Sequence, residues 1–137
     1  MGFMTNLSGK IHHFDNRRRL VIPGTKQQTI DFCIEHFTLL AKEAIKDHGF
    51  FSVAFAGGST PKAFYQQLTD KQGLVDWKNL KLFWSDERNV ELDHKDSNYK
   101  MVMDSGFANL PIPKENIFPM RTCDDLNTCS TNYEENI

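Results

Sequence analysis

Apolar residues recur through positions 25–48 at Ile30, Cys33, Ile34, Phe37, Leu40, Ala41, Ala44 and Ile45, a three-and-four spacing that predicts an amphipathic helix. Thr25 or Thr29 can cap its start, and Gly49 stands where a helix end often takes a left-handed residue. Residues 50–56 follow as a short apolar run rich in aromatic and β-branched types, which reads as a strand buried on both faces. Gly57-Gly58-Ser59-Thr60-Pro61 breaks that run. It opens a second helix over about residues 61–69, with Ser59 or Thr60 as the cap and Pro61 at the first helical position.

Leu80, Leu82, Phe83 and Trp84 predict a second buried strand, ending at Ser85-Asp86-Glu87-Arg88. Residues 91–96 are a polar loop, and Ser97 or Asn98 can cap a helix running to about Met103. Ile117 and Phe118, framed by Pro111, Pro113 and Pro119, read as a third short strand, and the chain from Asp124 onward reads as helical. Near the start, residues 10–14 form a strand or loop. Alternating helices and strands imply an α/β fold with a parallel sheet and helices on its faces.

At 137 residues the chain accommodates one domain. A hydrophobic content of 39% with a net charge of -2 excludes a disordered or membrane-spanning class. The Met1-Gly2-Phe3-Met4 start lacks a leader profile and no apolar run is long enough to span a bilayer, so the expectation is a cytoplasmic protein without a membrane partner. Arg17, Arg18 and Arg19 form the one basic run and read as a solvated turn, which gives no reason to expect a nucleic-acid partner. Cys33, Cys123 and Cys129 show no C-x-x-C spacing and read as free thiols, so no metal site is signalled.

In open parallel sheets, ligands bind beyond the carboxyl ends of the strands. Two clusters fall there. At Gly57, Gly58, Ser59 and Thr60, backbone can approach a ligand without an intervening Cβ, and helix-start N–H groups and two hydroxyls favour an anion, phosphate above all. The competing reading is a tight strand-to-helix turn with a serine cap and no ligand. At the second cluster, Arg88 can fork two donors onto a phosphate or an oxyanion, and Asp86 can orient a partner or move a proton. Its competing reading is a surface ion-pair cluster. None of His12, His13, His36, His48 and His94 follows a predicted strand, although the loop of His94 comes after the Asp86 cluster. Trp84 and Tyr99 read as packing residues.

The stretches "AFAGGSTPKAFYQQL", "LFWSDERNVELDHKDSNYKM" and "IPKENIFPM" together resemble the 6-phosphogluconolactonase family, over about residues 30–137. G-G-S-T-P, W-x-D-E-R and D-S-N-Y, in this order and spacing, carry the resemblance. It implies a Rossmann-like α/β fold related to glucosamine-6-phosphate deaminases, a sugar-phosphate ligand, no metal or nucleotide cofactor, and hydrolysis of 6-phosphoglucono-1,5-lactone to 6-phosphogluconate in the pentose phosphate pathway. Carried over by position, Gly57, Gly58, Ser59 and Thr60 match the sugar-phosphate turn, and Asp86 and Arg88 the polar active-site cluster.

The resemblance also implies a departure. The family carries a G-x-D-G-H-T type motif, with its general-base histidine, beyond the point where this chain stops at Ile137. The expectation is therefore the N-terminal part of a single sugar-phosphate-binding domain over residues 1–137, a truncated sheet, and a chain inactive by itself. A glucosamine-6-phosphate deaminase is the alternative within the fold, although that family tends to place an aromatic residue where this chain has Arg88. A non-catalytic sugar-phosphate-binding fragment, which keeps the phosphate turn and lacks the base, is the alternative of a different functional class.

Overall fold

The computed structural model describes residues 10–137; the Met1-Gly2-Phe3-Met4 start, which was read for a leader, lies outside them. The first element is a small antiparallel hairpin of β1 (Ile11–His13) and β2 (Arg19–Val21), with Ile11 opposite Val21. Its turn is closed by Asp15, whose carboxylate accepts from the Arg17 and Arg18 backbone N–H groups and pairs with the Arg18 guanidinium. Those three hydrogen bonds hold the Asp15 carboxyl below the usual carboxylate range, with the Arg18 side chain the largest influence. The arginine triplet is thus part of a hairpin, with Arg19 in β2.

Helix α1 (Lys26–His48) follows the predicted pattern closely. Thr25 caps it through a capping box: its hydroxyl accepts from Gln28 N while the Gln28 side chain accepts from Thr25 N. Gly49 ends it at φ 88°, the left-handed conformation that glycine adopts without a Cβ penalty. Ile30, Ile34, Phe37 and Ala41 form the buried stripe, and full burial of each large aliphatic side chain is worth about 1.5–3 kcal/mol.

Strands β3 (Phe51–Phe55) and β4 (Leu80–Trp84) pair in parallel, with Phe51 beside Leu80 and Phe55 beside Trp84. Helix α2 (Ser59–Asp70) connects them. Alternate residues share a sheet face, so Phe51, Val53 and Phe55 lie on the same side as Leu80, Leu82 and Trp84. All of the helical ring contacts to β3 and β4 are made on that side. Phe37 of α1 meets Phe51 at 5.3 Å, Tyr65 of α2 meets Phe55 at 5.0 Å, and Tyr99 of α3 (Asn98–Asp104) meets Trp84 at 5.2 Å between ring centroids.

The other face differs from the expectation of a strand buried on both sides, because Ser52 and Ala54 are exposed there. The physical reason is that α1 and α2 pack on the side of Phe51 and Phe55, so the apolar run 50–56 is covered once rather than twice. Phe83, on that second face, stacks on Phe118 at 4.7 Å. The expected third strand is reduced to one parallel bridge between Leu82 and Ile117, extended by Phe118 N donating to Leu82 O at 2.9 Å.

Helix α4 (Leu126–Glu134) closes the described chain, capped by the carboxylate of Asp125. The cysteine expectation is corrected here. Cys123 and Cys129 are joined by a disulfide with Cα atoms 5.9 Å apart, and Cys33 alone is a free, exposed thiol. The start of α4 folds the chain back between the two, which a search for C-x-x-C spacing does not detect. Among the described residues no helix is long and apolar enough to cross a membrane.

Candidate functional site

Both predicted clusters emerge from the same end of the parallel pair. Ser85 continues β4 by one residue, its N–H and its hydroxyl both donating to Phe55 O, at 2.9 and 3.0 Å. The chains then separate, β3 into residues 56–60 and β4 into residues 86–88.

A tyrosine hydroxyl holds each exit. The Tyr65 hydroxyl accepts from Ala56 N at 3.0 Å and donates to Ala56 O at 2.9 Å, fixing the peptide just before Gly57. The Tyr133 hydroxyl, on α4, accepts from Trp84 N at 2.8 Å and donates to Phe118 O at 3.0 Å. Burial pushes both phenols up from their ordinary value, so both remain protonated donors at neutral pH. Neither tyrosine was legible as a site residue from sequence, since each acts on backbone groups brought close only by the fold.

Gly58 has φ 107° and ψ 166°, a conformation reserved almost entirely for glycine, and it serves as the N-cap of α2. This displaces the predicted start of the helix. Ser59 and Thr60 are the first two helical residues rather than the cap, and Pro61 falls third. Proline is accommodated there because the N–H groups of a first turn have no intrahelical acceptor in any case. With a glycine as cap, no side chain among the described residues caps the first turn of α2. Gly58, Ser59 and Thr60 are exposed and Gly57 is half-buried.

Asp86 and Arg88 are both exposed, on either side of a half-buried Glu87. The Arg88 guanidinium enters none of the ion pairs formed among the described residues. Its acidic neighbour is otherwise occupied. Glu87 Oε1 accepts from Arg88 N at 2.8 Å and Asn98 N at 2.7 Å, and Oε2 accepts from Tyr99 N at 2.8 Å and the Ser97 hydroxyl at 3.1 Å. A surface ion-pair cluster at residues 86–88 is therefore not what the chain builds. The Asp86 carboxylate receives a long contact from the Ser85 hydroxyl, at 3.4 Å.

Asn98 links the two exits. It is only 7% exposed, its amide Nδ2 donates to Asp86 O at 3.2 Å, and its Oδ1 lies so close to Gly57 that a Cβ there would approach within 2.2 Å. A side chain at position 57 would thus have to displace the Asn98 amide. Of the predicted residues, Gly57 and Gly58 lie in the loop that enters α2, Ser59 and Thr60 in the first turn of α2, and Asp86 and Arg88 in the loop after β4, with Asn98 between the two exits. The histidines are elsewhere or differently engaged. His12 and His13 lie in β1 and His36 and His48 in α1, while His94 Nδ1 accepts from Asp96 N at 3.2 Å within its own turn. Trp84 is buried, as its reading as a packing residue requires.

The chain has relatives among known proteins. A sequence profile for glucosamine-6-phosphate isomerases/6-phosphogluconolactonase matches residues 24–137. The chain is 33% identical over 123 residues to probable 6-phosphogluconolactonase 4 of Arabidopsis thaliana, covering 86% of this chain and 47% of that one. It is 38% identical over 95 residues to a 6-phosphogluconolactonase of Nostoc, covering 69% of this chain and 39% of that one. Among solved structures, 6-phosphogluconolactonase from Thermotoga maritima superposes with a TM-score of 0.69 at 27% identity, covering 77% of this chain and 48% of that one. The chain spans less than half the length of each of these three. With the profile matched across most of its length and the parallel sheet and its loops in place, the chain belongs to the glucosamine-6-phosphate isomerase/6-phosphogluconolactonase family.

Proposed function

We propose that this chain is the N-terminal part of a single sugar-phosphate-binding α/β domain whose reaction is hydrolysis of 6-phosphoglucono-1,5-lactone to 6-phosphogluconate, in the cytoplasm. Relatives named for that activity, and a coverage of under half their length, support the reading. The observation that carries it is local. A helix start without a side-chain cap and an arginine without an ion pair stand on two loops that Asn98 joins.

In this reading the N–H groups and hydroxyls at Gly57, Gly58, Ser59 and Thr60 take the phosphate, where a helix N-terminus favours negative charge. Water adds to the lactone carbonyl carbon, the ring C–O bond breaks, the departing ring oxygen takes up the proton removed from the attacking water to become the free hydroxyl, and the carboxylic acid formed releases its own proton. Arg88 stabilises the oxyanion or the phosphate and Asp86 orients the reacting groups. A general base from sequence outside this chain takes the proton of the attacking water. In this reading the partner is a small sugar phosphate, and a net charge of -2 gives no reason to expect nucleic acid.

Titration of the chain with 6-phosphogluconate and with gluconate tests the anchor. The phosphorylated sugar binds and gluconate binds at least tenfold more weakly, a ratio of about 1.4 kcal/mol; equal affinities contradict it. Acid release from fresh 6-phosphogluconolactone, corrected for spontaneous hydrolysis, tests the rest. The chain alone stays at the spontaneous rate, and robust turnover by it would remove the need for an external base.

A further inference from the structure

Glu87 sits between the two residues assigned to chemistry yet offers no free acceptor to a ligand. Both of its oxygens receive two donors each, three of the four being backbone N–H groups. Two of those N–H groups, of Asn98 and Tyr99, belong to the first turn of α3, where a carboxylate also meets the positive end of the helix dipole. The third is the N–H of Arg88. One side chain therefore fixes the peptide that carries Arg88 and the helix start that carries Asn98. Asn98 in turn bonds Asp86 O through Nδ2 and abuts Gly57 through Oδ1.

We propose that Glu87 is a positioning residue: its carboxylate, acting through Asn98, sets the placement of Arg88 and Asp86 relative to the turn at residues 57–60. It touches no ligand. Its effect is on where the groups that do touch one are held. The proposal rests on the sugar-phosphate reading for what those groups bind, and on the contacts above for how they are held.

The experiment is a double-mutant cycle on the whole chain, with Glu87→Gln, Arg88→Ala and the pair, read by affinity for 6-phosphogluconate. Alongside it, backbone amide shifts at Gly57 and Gly58 are recorded in the ligand-free protein. Glutamine keeps one accepting oxygen but turns an NH2 group toward the donors of Tyr99 and Ser97, so half the clamp is lost at nearly constant volume. Glu87→Gln is expected to weaken binding about tenfold in the parent and less than about twofold when Arg88 is already alanine, because coupled residues are non-additive. The Gly57 and Gly58 amides are expected to shift. Equal weakening in both backgrounds, or unmoved Gly57 and Gly58 amides, would show a helix cap that only stabilises and would overturn the proposal.

If the parent binds gluconate as tightly as 6-phosphogluconate, the sugar-phosphate reading fails. The amide shifts then decide the positioning role by themselves. If Glu87→Gln does not fold, Ser97→Ala removes one of the four donors and enters the same cycle, with a smaller coupling of the same sign expected and strict additivity overturning the proposal.

Discussion

Helices α2 and α3 both begin just beyond the carboxyl end of a parallel strand, and their starts are built in opposite ways. The α3 start is closed: the Ser97 hydroxyl accepts from Lys100 N at 3.1 Å and the Glu87 carboxylate takes the N–H groups of Asn98 and Tyr99. The α2 start is entered through Gly58, with no side chain capping it. A helix start left uncapped has its positive end available to an outside anion, whereas one that holds its own carboxylate has already bound one. In the proposed reading the difference separates two roles: residues 57–60 receive the anion, and residues 86–88 are fixed in place beside them.

The first way to break that comparison is at the cation. Arg88→Lys keeps the charge but loses the planar fork, so affinity for 6-phosphogluconate should fall on the order of tenfold with net charge unchanged. Unaltered binding in a calorimetric titration would leave Arg88 a surface residue. The next is at the entry to α2. Gly58→Ala forces a Cβ onto a conformation that non-glycine residues avoid, and should cost about 1–3 kcal/mol by denaturant unfolding. A Gly58→Ala chain of undiminished stability would mean that the turn has relaxed to another conformation.

A smaller effect sharpens the role of the strand exits. Tyr65→Phe removes the hydroxyl that serves both polar groups of Ala56 and should cost about 1 kcal/mol. Faster hydrogen exchange at the Ala56 amide would accompany it, and unchanged exchange there would show that the hydroxyl is not what orders the exit. The smallest effect is on α4. The Thr128 hydroxyl, the Thr128 N–H and the Asn127 N–H hold the Asp125 carboxyl below the usual carboxylate range. Because the folded value is depressed, the cap's contribution is complete above the ordinary carboxylate value near 3.8 and is lost as pH falls through the lower folded value. The protection of the Asn127 and Thr128 amides, relative to their intrinsic exchange at each pH, should therefore fall as the pH is lowered through that window, and Asp125→Asn should flatten the dependence.

The parts of this molecule legible in its sequence are those whose physics is local. Helix α1 carries its apolar stripe, its capping threonine and its terminal glycine within one stretch of chain: Thr25, one of the two candidate caps, and Gly49 end it, and the stripe is buried at Ile30, Ile34, Phe37 and Ala41, while Cys33 and Leu40 at its edges are exposed. Gly57 and Gly58 marked a strand-to-helix turn because glycine has few other uses there. The start of α2 was misplaced by two residues because Ser59 and Thr60 are better caps by type than Gly58, and the proline allowed either arrangement. The exposed face at Ser52 and Ala54 was hidden by an apolar run whose burial depends on what packs against it. Glu87 could not be ranked against Asp86 from their adjacency, since its Ser97, Asn98 and Tyr99 donors lie ten to twelve residues away and two of them are backbone groups without a sequence signature. The tyrosine clamps and the Cys123–Cys129 pairing depend in the same way on returns of the chain.

The measurement closest to the central claim is a backbone amide titration of the chain with 6-phosphogluconate and, separately, with gluconate. The phosphorylated sugar is expected to move the amides of Gly57, Gly58, Ser59 and Thr60 most, with Arg88 next, while the Asn98 and Tyr99 amides, already bonded to Glu87, move least; gluconate should leave the first group nearly still. Shifts centred on the start of α3, or equal shifts with both sugars, would contradict it.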